Sequence, residues 1–252
     1  MSSTDVSAAN FDVYEHIRSY HSLVGSDINF AFQTIVDARE QDVVGFEALV
    51  RGIRKEPASL VMSRVPHDQR FSFDQACRVR AIEAAAQFGI DGKLHLNCTD
   101  IKAGNIDLVL EVTQHIAKRH EIEPAHIVLE LNNLEAIAQR NQLRNVRDKI
   151  HAAGFMTLAD NFGSRDADLQ PVATFQPTCL KLAHRLVESI HENPTAQAIA
   201  RGAIATCKSL GTAVIASGVE KAEEFRWLSD AGVEFFQGYF FAQPGMDQTD
   251  SE

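Results

Sequence analysis

Short apolar runs alternate with longer amphipathic stretches along most of the chain. Two runs open the pattern, Phe30–Val36 and Val43–Val50, separated by the polar turn Asp37–Asp42. They stand at hairpin distance and predict an antiparallel pair. Residues 53–70, with Pro57, Pro66 and mixed charges, keep no sustained period and are expected to be irregular. Phe73–Phe88 then predicts a helix stopped by Gly89.

From there strands and helices alternate. Strands are expected at Leu94–Cys98, His126–Leu131, Phe155–Ala159, Thr178–Leu182, Ala213–Ala216 and Val233–Phe236. Helices are expected at Asn105–Arg119, Glu135–Ala153 (ended by Gly154), a short one near Ala167–Phe175, segments through Leu210, and Lys221–Ala231. Crossover helices between apolar strands predict a parallel sheet. With the opening pair there are eight strands in 252 residues, which suits a closed (β/α)8 barrel with an antiparallel first strand. The expected division is a polar lead and amphipathic helix over 1–25, the barrel over 26–245, and a polar tail over 246–252.

Composition narrows the functional classes. The chain is 45% hydrophobic and 23% charged, with a formal net charge of −10 and no Lys/Arg block. Nucleic acid and anionic membrane are excluded as general partners, whereas a small anionic ligand needs local cations or a metal. No apolar run reaches the length of a membrane span. Cys77, Cys98, Cys179 and Cys207 form no CxxC pair. With a polar N-terminus lacking signal-peptide regions, they predict a reduced, cytoplasmic protein.

The chemistry gathers at the strand ends. Glu47, Asn97, Glu130, Asp160, Lys181, Ser217 and Gln237 stand at or near the ends of successive strands. In a barrel those ends share the rim where active sites form. Each alone reads as a capped turn or satisfied polar group, and Glu47, with Arg51 four residues on, as half of an ordinary buried ion pair or a strand-end charge in solvent. As a set, three carboxylates and an amide oxygen make a hard-oxygen site suited to Mg²⁺ or Mn²⁺. The ten histidines include no HExxH, and no nucleophile elbow or P-loop is present.

The chain resembles the EAL domain, the cyclic di-GMP phosphodiesterase family of bacteria. The resemblance rests on Gly45-Phe-Glu-Ala-Leu-Val-Arg51, Leu96-Asn97, Leu129-Glu-Leu131, Asp160-Asn-Phe-Gly163, Leu180-Lys-Leu182, Ala216-Ser-Gly-Val-Glu220 and Phe236-Gln-Gly-Tyr239. Phe71-Ser-Phe-Asp-Gln-Ala-Cys-Arg-Val-Arg80 and Phe175-Gln-Pro177 look most like EAL domains that accompany blue-light-sensing flavin modules. It implies a TIM-like barrel and one metal site, for Mg²⁺ or Mn²⁺, at Glu47, Asn97, Glu130 and Asp160. Lys181 and Gln237 take catalytic positions, and Arg51, Leu49 and Glu47 ligand-binding ones. A homodimer is also implied.

The pattern breaks at four places. Asn161 stands where the family has a second aspartate, and Ser217 where it has a metal-binding glutamate with general-base duty. Asn132-Asn133 replaces Thr-Glu, and Ala183 an acidic residue. Loss of a general base alone typically removes about 10²–10⁴ in rate. The resemblance therefore implies a catalytically impaired member. Three functions follow: a cyclic di-GMP receptor, a regulator acting by contact with a protein partner, or a slow phosphodiesterase.

Overall fold

A computed structural model describes residues 28–99, 101–132, 134–139, 141–164 and 168–245. The lead and helix expected over 1–25 and the tail over 246–252 lie outside the described residues. Eight strands close into one barrel in sequence order: β1 (Ile28–Asp37), β2 (Asp42–Gly52), β3 (Lys93–Cys98), β4 (Ile127–Leu131), β5 (Met156–Phe162), β6 (Cys179–Leu182), β7 (Ala213–Ser217) and β8 (Phe235–Gln237). As the opening hairpin predicted, β1 runs antiparallel to both β2 and β8, while the remaining pairs are parallel. No helix among the described residues is long and apolar enough to cross a membrane.

The two-residue strand period builds the interior as stacked layers. Val128, Leu158 and Ile215 pack with Ile35, and Cys179 and Phe235 lie against them, in an apolar plug inside the barrel. Side chains two apart on a strand share a face. One step of two from these residues therefore gives Glu130, Asp160, Ser217, Lys181 and Gln237, and a polar layer sits above the plug. The same spacing on β3 pairs His95 with Asn97. A larger core, including the fully buried Leu96, Leu129, Ile116, Val146 and Phe175, fills the space between barrel and helices.

Nine helices are described: α1 (Ala58–Ser63), α2 (Arg70–Gln87), α3 (Ile106–Arg119), α4 (Leu134–Ala138), α5 (Leu143–Ala152), α6 (Leu169–Phe175), α7 (His184–Val187), α8 (Pro194–Leu210) and α9 (Ala222–Asp230). Two expectations are corrected. The stretch 53–70 is partly ordered: Pro57 caps the start of α1, and Pro66 precedes a 3₁₀ turn at His67–Gln69 that leads into α2. Proline is suited to a helix start, where its missing N–H has no intrahelical partner to lose. The single helix expected over Glu135–Ala153 is two helices. Asn141 between them has φ +54°, a left-handed conformation that a continuous right-handed helix cannot contain.

Local caps set the boundaries of α8 and the start of α9. Asn193 accepts from Ala196 N at 3.1 Å ahead of Pro194, and α8 ends at Gly211 with φ +70°. Glu224 of α9 accepts from the backbone N–H groups of Ser189, Glu220 and Lys221 at 2.8, 3.0 and 3.1 Å. These bonds cap the start of α9 and tie it to the segment after α7. Glu224→Ala leaves three part-buried donors to solvent and is expected to cost about 1 kcal/mol. A urea unfolding midpoint equal to the parent's would refute that.

Candidate functional site

The polar layer above the plug brings the predicted strand-end residues together. Glu47 is buried at the middle of β2, level with His95 of β3. It is not at the strand's end, because the β1–β2 hairpin rises past the rest of the barrel to Gly52. Its Oε2 accepts from Lys181 Nζ at 3.0 Å and Gln237 Nε2 at 2.7 Å, and its Oε1 from Asn97 Nδ2 at 3.3 Å. Lys181 Nζ also donates to Glu130 Oε1 at 2.7 Å. His95 Nδ1 lies 3.0 Å from that same oxygen. On the far side, Gln237 Nε2 donates to Gln33 Oε1 at 3.1 Å. The chain Gln33–Gln237–Glu47–Lys181–Glu130–His95 crosses the barrel through groups that are almost all buried.

Burial in a low-polarity interior disfavours charge, and fixed neighbours decide which groups keep it. For Glu47 burial opposes ionisation, but Lys181 and the Gln237 amide outweigh it and hold the carboxyl at about 2. For Lys181 burial again opposes charge, and Glu130, Glu47 and Asp160 together raise its pKa. Burial and the charge of Glu47 push Glu130 up to about 8. Burial pushes Asp160 up to about 6. Burial and the Lys181 ammonium hold His95 down to about 3, so its imidazole is neutral. The Glu47 reading as half of a buried ion pair is thus realised, with Lys181 rather than Arg51 as partner.

Asp160 and Asn161 stand at a register shift between β5 and β6. Such an irregularity re-aims side chains at a barrel rim. Asn161 has φ +62°, a region asparagine enters more readily than most residues, and its Nδ2 donates to Asp160 Oδ2 at 3.0 Å. Gly163 follows with φ +89°, and a Cβ there would meet Leu186 Cδ2 at 2.7 Å. Its place in the sequence is a steric requirement of this turn. Ser217 is half-buried at the end of β7, paired in register with Gln237. Ala183 is buried and donates its N–H to Phe162 O at 2.9 Å. Arg51 stands apart from the carboxylates, its Nη1 donating to Val50 O at 2.9 Å. A cavity of about 260 Å³ opens beside the rim, and Glu47, Leu49, Asn97, Asp160, Asn161 and Phe73 are among its walls. A larger groove of about 520 Å³ between α4, α5 and α6 shares none of the rim residues.

Sequence reading missed three members of the layer. His95 and Gln33 lie within apolar runs where neither spacing nor motif marks them, although His95 shares the inward face with Asn97. Asn132, read only as a departure, donates Nδ2 to Asn97 Oδ1 at 3.4 Å.

Among the described residues no three His, Cys, Asp or Glu side chains gather as a metal-holding cluster, and Lys181 bridges Glu47 and Glu130. The donors nevertheless fit a hard divalent cation in kind, being all oxygen. Glu130 Oε2, Gln237 Oε1 and Asn132 Oδ1 are buried acceptors with no hydrogen-bond partner among the described residues. Buried orphan acceptors are uncommon in folded proteins, and a water or a cation would satisfy these three.

The comparisons with known proteins agree with this geometry. The blue light- and temperature-regulated antirepressor BluF of Escherichia coli K12 is 28% identical over 220 residues, which are 87% of this chain and 55% of BluF. The probable cyclic di-GMP phosphodiesterase PdeN of the same organism is 23% identical over 235 residues, 85% of this chain and 43% of PdeN. The chain thus spans about half the length of these curated relatives. A standalone EAL protein from Vibrio cholerae O395, solved with c-di-GMP bound, superposes with a TM-score of 0.79 at 35% identity, over 88% of this chain and 94% of that one. BlrP1 of Klebsiella pneumoniae, solved with manganese and cyclic di-GMP, gives a TM-score of 0.79 at 28% identity, over 88% of this chain and 57% of BlrP1. The EAL domain profile matches residues 20–244, and the chain belongs to the EAL domain family.

Proposed function

We propose that this EAL domain is a cyclic di-GMP receptor whose phosphodiesterase activity is impaired. The observation that carries the reading is the intact Glu47–Lys181–Glu130–Gln237 layer beside a cavity, with a hydroxyl at Ser217 on the adjoining strand. Arg51 and Lys181 supply local cations for the two phosphates of the ligand, which the net charge of −10 otherwise repels at long range. Leu49 lines the cavity and offers apolar surface to the ligand.

Glu47, Asn97, Glu130 and Asp160 would hold one Mg²⁺ or Mn²⁺, whose chemistry is neutralisation of phosphate charge. Toward hydrolysis this chain's own residues do less. Lys181 and Gln237 orient and polarise, but Ser217 has no basicity near neutral pH and cannot take a proton from an attacking water. Asn161 donates an amide proton to Asp160 where a second carboxylate would add negative charge.

The test is calorimetric titration of cyclic di-GMP with and without Mg²⁺, followed by chromatography for linear product. Binding without product, abolished by Arg51→Ala in a folded variant, is the expected result. Neither heat nor product would overturn the receptor reading in favour of a regulator that acts through a protein partner. Product at a measurable rate would establish a slow phosphodiesterase.

A further inference from the structure

We infer that Asp74 and Arg78, one turn apart on α2, form a clamp that positions Asn97 and through it the rim site. Three consecutive residues at the end of β3 are held by this pair. Arg78 Nη1 donates to Asn97 O at 3.0 Å and reaches Cys98 Sγ at 3.2 Å. Asp74 Oδ1 accepts from Thr99 N at 3.1 Å and Thr99 Oγ1 at 2.9 Å. The two clamp residues are joined by Arg78 Nη1 to Asp74 Oδ2 at 2.7 Å. Asn97 lies inside that grip, and its side chain faces the other way, donating to Glu47 and accepting from Asn132.

The clamp is poorly explained as a stabilising device. Arg78 is 2% exposed and Asp74 6%, and Arg78 Nε and Nη2 have no partner among the described residues. A buried pair with unmet donors is often no better for stability than apolar side chains of similar volume. What it supplies is geometry. The place from which the Asn97 amide reaches Glu47 and Asn132 is set by where its strand end is held, and outer-layer partners commonly set the orientation of a ligand residue. The inference rests on the proposed cation site in one respect only, that Asn97 is among its ligands.

The experiment uses Mn²⁺ alone as the probe, on the full chain. Arg78→Met is expected to weaken Mn²⁺ binding by about 10–100-fold, the usual cost of removing an orienting partner. Asp74→Leu combined with Arg78→Met removes the pair without leaving a lone charge. It is expected to keep the parent's thermal midpoint or exceed it while losing the same affinity. Arg78→Lys keeps the charge and one donor and should recover part of it. The side-chain amide signals of Asn97 in the nuclear magnetic resonance spectrum give a readout without metal: their chemical shifts, set in the parent by the contacts with Glu47 and Asn132, are expected to move toward those of a solvent-exposed amide in both Met variants. Unchanged Asn97 signals in a folded Met variant overturn the clamp. Loss of affinity only in step with the thermal midpoint also overturns it, reducing the pair to a structural contact. A parent that binds no Mn²⁺ refutes the cation site, and the Asn97 signals then decide the clamp by themselves.

Discussion

Asn161→Asp and Ser217→Glu together are expected to raise cyclic di-GMP hydrolysis about 10²–10⁴-fold over the parent, the span associated with a positioned general base. The backbone accepts both changes. Asn161 occupies a left-handed position at φ +62°, where aspartate is also tolerated, and it is exposed. Ser217 is half-buried on the strand that pairs with Gln237, so a longer carboxylate there enters the same rim. Aspartate at 161 removes the amide proton now given to Asp160 and sets two carboxylates side by side. Their repulsion is relieved by a cation, so activity gained by the double variant should need Mg²⁺ or Mn²⁺ more stringently than binding does. Initial rates of linear product formation at saturating Mn²⁺ test this. Each single variant should gain far less, since residues of one catalytic unit act together. A folded double variant as slow as the parent would show that the deficit lies elsewhere.

The largest effect on stability is expected at Lys181. Its ammonium stands between two buried carboxylates, at 3.0 Å from Glu47 and 2.7 Å from Glu130, and is itself 3% exposed. Lys181→Met keeps the stem and removes the charge. Removing one partner of a buried ion pair typically costs about 3–5 kcal/mol, because the charge left behind is neither solvated nor compensated. The same variant should become sensitive to divalent cations. With Lys181 gone, Mn²⁺ at a hundred times its dissociation constant would restore about 2.7 kcal/mol. Urea unfolding with and without Mn²⁺ separates the two contributions. A Met variant as stable as the parent in metal-free buffer would mean that Glu47 needs no cation.

The alternation of apolar strands and amphipathic helices carried nearly all of the barrel, because burial on one face imposes a period on each element. The rim carboxylates were legible for the same reason. A charged residue inside an apolar run needs a partner, and runs of similar length bring such residues to similar height. Three kinds of feature were not legible. The turn at Asn141 that splits α4 from α5 depends on one backbone conformation, which asparagine permits but does not dictate. The choice of Lys181 over Arg51 as partner of Glu47 depends on which residues meet across the barrel, 134 positions apart in sequence. The pair Asp74 and Arg78 looks like an ordinary i,i+4 surface pair until the helix is seen to turn it inward.

The direction of β1 has a consequence for how this domain can be governed. Ile28 pairs with Gly52, so β1 starts at the height where β2 ends and descends toward the plug. At the other end of the fold β8 ends at Gln237, near the height of Ile35, and Gly245 returns to pair with Phe32. In a regular (β/α)8 barrel the first strand begins at the face opposite the site. Here the incoming chain reaches the barrel on the same side as Glu47, Asn97 and Gln237. Any pull, twist or docking transmitted along the backbone into Ile28 acts through a strand whose own Gln33 touches Gln237. A tether at the head of this barrel is therefore a lever on its mouth.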